Sequence, residues 1–189
     1  MYIRNFIDPE DASVQFDRLW NDLNWERRPD APRREYWANT FDRDYTYGSG
    51  AGVRTYKAQD WHPMMRDIGG LLAEHMGVWL EGCFLNGYEG SRDWLGWHAD
   101  DDPGIDHSRA IAIVTLYSDP TKKPRSIQFR ELAGTYEGKQ VYNVVQDHPL
   151  EHGSLYLMPP GFQFTHQHRI PKAGFDCADR ISLTFRGLL

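Results

Sequence analysis

The pair His98-x-Asp100 stands at the head of the acidic run in WLGWHADDDPG. Residues i and i+2 of a strand point to the same side, so one strand end would present an imidazole and a carboxylate together. Two histidines and one carboxylate on one face are the ligand set of non-haem iron(II) oxygenases. A second histidine is available in FQFTHQHRIPK, as His166 or His168. Spacing does not choose between those two, and the pair alone also fits an ordinary acidic turn.

A second pattern lies close to the C-terminus, where polar and apolar residues alternate without a break in RISLTFR. As a strand, this segment places Ile181, Leu183 and Phe185 on one face and Arg180, Ser182, Thr184 and Arg186 on the other. A buried guanidinium without an anionic partner is costly, so a polar face turned into a cavity would require an anion there, such as a dicarboxylate. The alternative is a solvent-facing strand with ordinary surface arginines.

The elements that must position these residues change in type along the chain. Asp8 can cap a helix that starts at Pro9, and a second helix is predicted over about 62–76. From residue 83 onward, short strands alternate with turn sequences: CFLNGY, AIAIVTLY, SIQFREL, QVYNVV, SLYLM and RISLTFR. This order predicts an α+β fold, namely a double-stranded β-helix (jelly roll) with the N-terminal helices packed on one side.

Residues 26–59 show no clear periodicity and are rich in Arg, Pro, Gly and Tyr. A segment of this kind indicates a functional loop or lid. It contains the basic cluster ERRPDAPRRE, with Arg27, Arg28, Arg33 and Arg34. Two interpretations fit the cluster: a solvated loop with partly compensated charges, or a patch that contacts phosphates.

The bulk composition excludes a strongly basic protein that grips duplex nucleic acid over a wide surface, because the net charge is −6. Any nucleic-acid contact would have to be local. The chain shows neither a signal sequence nor a long apolar run, and we expect a soluble, cytoplasmic protein with no membrane association. Cys83 and Cys177 are expected to be reduced thiols, a single disulfide being the alternative.

The motifs in their order resemble the AlkB family of iron(II)/2-oxoglutarate-dependent dioxygenases. The matching stretches are LNGYEGSRDWLGWHADDDP, IQFRE, LEHGSLYLM, HQHRIPK and DRISLTFR, which cover about residues 84–186; YTYGSG and the Trp61-His62-Pro63 step extend the match back to about residue 45. The resemblance implies a single dioxygenase domain over 1–189. In it, about 1–82 would form the helices and the substrate lid, and about 83–189 the jelly-roll core.

The resemblance also implies roles for individual residues. The iron ligands would be His98, Asp100 and His168, since the family's distal histidine precedes an apolar-Pro step, here Arg169-Ile170-Pro171. The 2-oxoglutarate site would be formed by Asn86, Tyr88, Arg180 and Arg186, together with Ser182, where family members commonly carry Asn. The substrate would meet Asp102, Trp97, Tyr45, Tyr47 and Arg33.

The activity that the resemblance implies is oxidative dealkylation of N-alkylated bases, such as N1-methyladenine and N3-methylcytosine, in DNA or RNA. Iron(II), 2-oxoglutarate and O2 would be required, and formaldehyde, succinate and CO2 released. The expected partner is an alkylated nucleic acid, with single strands favoured and no obligate protein partner. An alternative keeps iron and 2-oxoglutarate but acts on a protein, a free nucleotide or a small molecule. A jelly-roll binding module without chemistry is the third hypothesis.

Overall fold

Two β-sheets face each other, and a pair of helices covers the outside of the larger one. The computed structural model describes residues 1–29, 31–47 and 53–189 and, at residues 144 and 145, the backbone alone. The elements in chain order are β1 (Tyr2–Ile3), α1 (Pro9–Asp22), β2 (Arg34–Asn39), β3 (Tyr45–Tyr47), β4 (Arg54–Tyr56), α2 (Pro63–Met76), β5 (Gly82–Tyr88), β6 (Leu95–His98), β7 (Ile111–Tyr117), β8 (Ser126–Tyr136), β9 (Lys139–Pro149), β10 (Ser154–Met158), α3 (Phe162–Thr165), β11 (His166–Ile170) and β12 (Arg180–Arg186).

Both long helices begin where their sequences predict, and the second also ends there. The Asp8 side chain accepts a hydrogen bond from the Glu10 amide, and Pro9 occupies the first turn of α1, where its missing N–H costs nothing. The second helix, α2, ends at Gly77, whose φ of 72° is the left-handed conformation that glycine adopts without strain. The predicted helices are thereby confirmed.

The larger sheet has the strand order β1-β10-β7-β12-β5-β2, with β12 antiparallel to both of its neighbours. Its outer face packs against α1 and α2 through buried apolar side chains, among them Phe16, Leu19, Met65, Leu183 and Phe185. Full burial of one such side chain contributes about 1.5–3 kcal/mol. The predicted helical layer on one side of the sheet is confirmed.

The smaller sheet has the order β6-β11-β8-β9 and lies over the inner face of the larger sheet. A second apolar cluster fills part of the space between them, with Ile113, Phe129, Met158 and Ile170 fully or almost fully buried. The arrangement is the predicted jelly roll. Cys83 and Cys177 are both free and buried, as expected for reduced thiols.

The segment 26–59 is more ordered than its sequence predicts, and the prediction of a long irregular loop is wrong for its described residues. It contributes β2 to the edge of the larger sheet, paired with β5, and the hairpin formed by β3 and β4. In β2, all residues from Glu35 to Asn39 are buried, so the strand carries no alternation of polar and apolar residues. Asp30 and residues 48–52, which include the end of YTYGSG, lie outside the described residues.

The four arginines of the cluster are all paired with carboxylates, two of them with the neighbouring Glu26 and Glu35 as charge compensation within the segment predicts, but Arg33 is buried rather than solvated. Each guanidinium lies within 3.0 Å of a carboxylate oxygen, in the pairs Arg27–Asp93, Arg28–Glu26, Arg33–Glu35 and Arg34–Glu89. Two of these pairs, Arg27–Asp93 and Arg34–Glu89, tie the segment around the start of β2 to the loop after β5. The boundary drawn near residue 82 between a lid and a catalytic core stays a prediction, although β2 already belongs to the larger sheet.

Candidate active site

His98, Asp100 and His168 converge between the two sheets. One ligand atom from each residue lies within 4.8 Å of the others, and His98 is paired directly with His168 across β6 and β11. Asp100 follows β6 by two residues, so a single strand end presents both of the first two ligands. This is the geometry that the His-x-Asp spacing predicts.

Hydrogen bonds fix the orientation of this triad. The His98 Nδ1–H donates to the Gly96 carbonyl at 2.9 Å, so Nε2 keeps its lone pair for a metal. The Asp100 amide donates to the Gln163 side-chain oxygen at 3.0 Å, and one Asp100 carboxylate oxygen lies 2.9 Å from the Arg186 guanidinium. Gln163 was not found from the sequence, because nothing local connects the short helix α3 with Asp100.

The electrostatics suit a metal ion. Burial lowers the pKa of His168 to about 3 and also holds the pKa of His98 below its ordinary value, so both imidazoles are neutral at pH 7. Burial is the largest single influence on the pKa of Asp100 and would raise it, but the charge and hydrogen bond of Arg186, together with His168 and His98, lower that pKa below its usual range. Two neutral nitrogen donors and one carboxylate are the state in which these side chains bind iron.

His166 takes a different position. Its ring stacks on Phe162 with centroids 4.0 Å apart, and its Nδ1 lies 2.8 Å from the Thr165 hydroxyl. His166 is absent from the group of convergent ligands, where His168 stands. Phe162 and Thr165 belong to α3, so His166 anchors this short helix to β11.

The polar face of β12 points between the sheets and is buried. Arg180 and Arg186 are 0% and 5% exposed. Among the described residues, Nε and one terminal nitrogen of each guanidinium have no hydrogen-bond partner. Arg180 reaches the hydroxyls of Thr115 and Ser182 only at 3.3 and 3.4 Å. Buried donors in this state require an acceptor, which a bound anion would supply.

The other residues assigned to 2-oxoglutarate lie on the same wall. Asn86 is in register with Ser182, and Tyr88 with Arg180, across β5 and β12. The Tyr88 ring lies beneath two guanidiniums, those of Arg180 and Arg125, each 5.2 Å from its centroid. The structure therefore brings the predicted co-substrate residues together as one buried patch.

Arg125 is a buried cation that belongs to no motif recognisable in the sequence. Its guanidinium donates to the carbonyl oxygens of Asp93 and Pro171 at 2.7 and 2.6 Å, and to that of Gly90 at 3.1 Å. It ties the loop after β5 to the segment that follows β11. A signal for such a residue exists only in three dimensions, because its partners are backbone carbonyls from distant segments.

The cavity beside the triad is lined by aromatic and polar side chains: Arg33, Tyr45, Tyr47, Tyr56, Phe84, Asn86, Leu95, His98, Asp100 and Arg186. The Tyr45 hydroxyl donates to the Asp102 carboxylate, which is half-buried, and burial raises the pKa of Asp102. Three predicted substrate residues, Tyr45, Tyr47 and Arg33, thus line this cavity, and Asp102 is attached to it through Tyr45.

Arg33 is 8% exposed, so it lies inside the protein rather than on a lid surface. Its Nε donates to the Asn86 side-chain oxygen at 2.7 Å, and its NH2 to Glu35 at 2.5 Å. Glu35 is fully buried and also accepts a hydrogen bond from the Tyr56 hydroxyl at 3.1 Å. This network holds the Asn86 amide with its oxygen toward Arg33 and its NH2 group free for another partner.

Trp97 lies elsewhere. Its ring is on the outer face of the smaller sheet, between Arg130 and Arg169, and does not line the cavity of the triad. The pairing of β11 with β6 shifts register between His168 and Ile170, so Leu95 and His98 both face inward although they are three residues apart. Trp97 directly precedes His98, so the alternation of the strand turns its ring to the outer face.

The comparisons with known proteins agree with this geometry. The model of the 2OG-Fe(II) oxygenase superfamily matches residues 1–186. The chain belongs to this superfamily. It is 27% identical over 189 residues to human "Alpha-ketoglutarate-dependent dioxygenase alkB homolog 3", covering 96% of this chain and 63% of the relative. It is 25% identical to "DNA oxidative demethylase ALKBH2" of Arabidopsis thaliana, covering 100% of this chain and 66% of the relative.

The resemblance to the AlkB family is confirmed by these relatives, and the chain spans less than two thirds of their length. A solved prolyl hydroxylase from Trichoplax adhaerens superposes with a TM-score of 0.55 at 13% identity, covering 98% of this chain and 82% of that one, and supports the fold alone. Among the described residues, no helix has both the length and the hydropathy needed to cross a bilayer.

Membership of the superfamily implies iron(II), 2-oxoglutarate and O2 as cofactor and co-substrates. The residues present fit these groups. The triad offers two neutral nitrogens and a carboxylate, which suits iron(II). The unpaired buried donors of Arg180 and Arg186 suit a dicarboxylate.

Proposed function

We propose that this protein removes alkyl groups oxidatively from N-alkylated bases, of the N1-methyladenine and N3-methylcytosine type, in DNA or RNA, with single strands as the preferred substrate. The observation that carries the proposal is one juxtaposition. A His-Asp-His triad, buried arginine donors that have no partner in the described part of the chain, and an aromatic cavity beside a carboxylate all meet between the two sheets. The human relative is named as an alpha-ketoglutarate-dependent dioxygenase, and the Arabidopsis relative as a DNA oxidative demethylase.

In this proposal His98, Asp100 and His168 hold iron(II). Burial keeps the two imidazoles neutral, so their lone pairs are available to a metal. Arg186 contributes to keeping Asp100 ionised and pairs with one carboxylate oxygen at 2.9 Å, so the other oxygen, 3.7 Å from His98 Nε2, is the one that would bind the metal. The hydrogen bond to Gly96 keeps His98 in the tautomer that binds through Nε2.

The co-substrate 2-oxoglutarate would lie along the polar face of β12. Its two carboxylates would accept hydrogen bonds from the free nitrogens of Arg180 and Arg186. Asn86 would contribute its NH2 group, which the Arg33 bond to its oxygen leaves free, and Tyr88 and Ser182 would contribute their hydroxyls. When bound, iron(II) with 2-oxoglutarate and O2 supplies the oxidation that turns an N-methyl group into hydroxymethyl, which departs as formaldehyde while succinate and CO2 are released.

The base would enter the aromatic cavity. Tyr45, Tyr47 and Phe84 offer ring faces that attract a cationic, planar base. The Asp102 carboxylate, which accepts a hydrogen bond from the Tyr45 hydroxyl, would attract a positively charged base more strongly than a neutral one. N1-Methyladenine and N3-methylcytosine carry a positive charge at neutral pH, so this cavity would favour them. Trp97 is left out of the base pocket in this proposal because its ring lies on the other side of the sheet.

The test is incubation of the full chain with iron(II), ascorbate, 2-oxoglutarate and a single-stranded oligonucleotide that carries N1-methyladenine or N3-methylcytosine. Mass spectrometry follows loss of the methyl group, and succinate is measured in parallel. We expect methyl loss with the unchanged protein and with His166→Ala, but not with His168→Ala. Asp102→Asn should reduce methyl loss from the cationic bases at least tenfold and leave succinate formation without substrate unchanged.

Each outcome has a distinct meaning. Succinate without methyl loss on any oligonucleotide would contradict the nucleic-acid substrate and favour a protein, nucleotide or small-molecule substrate. Neither product, from protein shown to be folded and loaded with iron, would contradict the enzymatic proposal as a whole.

A further inference from the structure

The outer face of the smaller sheet carries four stacked side chains on neighbouring strands, here called the arginine–aromatic ladder: Tyr142, Arg130, Trp97 and Arg169. The Arg130 guanidinium lies 4.0 Å from the centroid of Tyr142 and 4.6 Å from that of Trp97. The Arg169 guanidinium lies 4.5 Å from the Trp97 centroid. Rings and cations therefore alternate in the stacking order Tyr142, Arg130, Trp97, Arg169, while the strands that carry them lie side by side in the order β9, β8, β11, β6. All four side chains are partly exposed.

The charges of the ladder are not neutralised within the described part of the chain. Arg130 donates to the Gln167 side-chain oxygen and Arg169 donates through Nε to the Gln128 oxygen, and both acceptors are neutral amides. No described carboxylate lies within ion-pair distance of either guanidinium, in contrast to the four paired arginines near β2. The outer edges of both guanidiniums are left for a partner.

The basic surface continues beyond the ladder. The ladder lines a surface depression together with Gln128 and Asp147. These two residues also line a neighbouring depression, which adds the exposed amines of Lys123 and Lys172. Among the described residues that line the two depressions, Asp147 is the acidic one. Five cations line the two depressions, one of them the buried Arg125. The four at the surface, against one carboxylate, make this face locally positive, although the whole chain has a net charge of −6.

The edge strand β6 connects this face with the cavity. Leu95 and His98 of β6 line the cavity, while Trp97 of the same strand forms part of the ladder. Because β6 is the outermost strand of its sheet, a chain that leaves the cavity across β6 arrives on the ladder. The two surfaces are separated by the width of one strand.

We propose that the ladder is a second binding surface for the nucleic-acid strand that flanks the base in the cavity. The proposal rests on the proposed function and adds to it where the rest of the substrate runs. Stacked guanidiniums with free outer edges match phosphates, and the partly exposed Tyr142 ring at the end of the stack matches an unstacked base. An acidic peptide would pair with the arginines but would make no use of the aromatic rings. A single-stranded nucleic acid, which carries both phosphates and planar bases, fits the arginines and the rings together.

The experiment measures binding rather than turnover, by fluorescence anisotropy with unmodified single-stranded oligodeoxynucleotides of 5 and 15 residues. The short oligonucleotide can fill the cavity, and the long one can also reach the ladder. The test protein is the double variant Arg130→Gln/Arg169→Gln. The matched control is Arg4→Gln/Arg18→Gln, which removes the same charge from arginines that are 72% and 61% exposed elsewhere on the surface.

We expect the ladder variant to bind the 15-residue oligonucleotide at least tenfold more weakly and the 5-residue one less than twofold more weakly. The slope of log Kd against log salt should shrink by about 1.4 for the long oligonucleotide, since each phosphate contact to a single strand contributes about 0.7. The control variant should change neither quantity. A gain-of-charge variant at an exposed position that lines the same face, Gln146→Arg, should tighten binding of the long oligonucleotide alone.

An equal loss for both lengths, or a loss matched by the control variant, would overturn the proposal. A lower melting temperature with unchanged length dependence would overturn it as well, because the ladder would then serve only to hold the sheet together. Gln146→Arg keeps the proposal testable if the double variant does not fold. Failure of the demethylation assay on a methylated 5-residue oligonucleotide would contradict the proposed function without altering the length dependence measured here.

Discussion

The two faces of β12 are built from alternate residues of one strand, yet they differ in how completely they are satisfied. The helix-facing side chains Ile181, Leu183 and Phe185 are fully buried against apolar partners. On the cavity side, Arg180 and Arg186 are almost as deeply buried but keep donors without partners among the described residues. Both faces are removed from water. The helix-facing side is fully packed in the protein alone, whereas the hydrogen-bond donors of the cavity side would be satisfied only by a ligand.

This difference separates stability from binding along a single strand. Apolar burial on the helix side contributes to the free energy of folding in the protein by itself. On the cavity side, buried donors cost free energy until an anion accepts their hydrogen bonds. Substitutions at neighbouring positions of β12 should therefore give opposite phenotypes.

The largest effect is expected on the helix face. Leu183→Ala should lower the free energy of unfolding by about 3–5 kcal/mol, because it opens a cavity in a fully packed cluster. Chemical denaturation measures this loss, with Val14→Ala at a 58% exposed position of α1 as the control. At a temperature where the variant is folded, its KM for 2-oxoglutarate should stay within twofold of the original. A rise in KM at full stability would contradict the separation.

The next effect belongs to the cavity face. Arg180→Met should raise the KM for 2-oxoglutarate about 100-fold, since one carboxylate loses a charge-assisted partner worth 2–5 kcal/mol. The unfolding free energy of the ligand-free protein should not fall, because a buried charge with unmet donors is replaced by an apolar chain. Succinate formation at varied 2-oxoglutarate gives the KM, and thermal melting gives the stability. A strongly destabilised variant with unchanged KM would assign Arg180 a purely structural role.

A smaller effect concerns the attachment of α1 and depends on pH. Burial lowers the pKa of His152, whose Nδ1 accepts from the Tyr117 amide and whose Nε2 faces the Pro9 carbonyl. The folded state prefers the neutral ring, so its contribution is complete above the unfolded pKa of about 6.5 and is lost as the pH falls below it. His152→Gln should flatten this decline by up to about 1.4 kcal/mol per pH unit. Denaturation between pH 7.5 and 5 measures it, with exposed His75→Gln as control; equal slopes in all three proteins would refute it.

The smallest effect is expected at Ser182, where family members commonly carry Asn. Ser182→Asn adds an amide beside Arg180, whose NH2 lies 3.4 Å from the serine hydroxyl. One additional hydrogen bond contributes about 0.5–1.5 kcal/mol, so the KM for 2-oxoglutarate should fall two- to tenfold. Thr184→Asn, on the same face but nearer Arg186, is the control that adds the same group. An unchanged KM in both would show that the serine site is already optimal.

Local patterns made part of this architecture predictable. The alternation in RISLTFR predicts the two faces of β12, and Asp8 and Pro9 predict the start of α1. The His-x-Asp spacing predicts that His98 and Asp100 share one strand end. The choice of His168 over His166 rested on the family motif, and the structure places His168 beside the other two residues.

Other features depend on contacts that no local pattern records. The strand β2 lacks alternation because both of its faces are buried, so it reads as an irregular segment. The sequence predicts that Arg33 belongs to a lid, but its side chain is buried because it donates hydrogen bonds to Glu35 and Asn86 in the interior. Trp97 differs from these two cases, because it directly precedes His98 in β6 and strand alternation alone predicts that its ring faces away from the triad.

The measurement that tests the account most directly is anaerobic titration of the metal-free protein with iron(II), with His98-Asp100-His168 compared against the alternative that uses His166. The account predicts one iron per chain in the unchanged protein and in His166→Ala, and loss of high-affinity binding in His168→Ala. Retained binding in His168→Ala together with loss in His166→Ala would contradict the assigned triad and, with it, the site on which the proposed function depends.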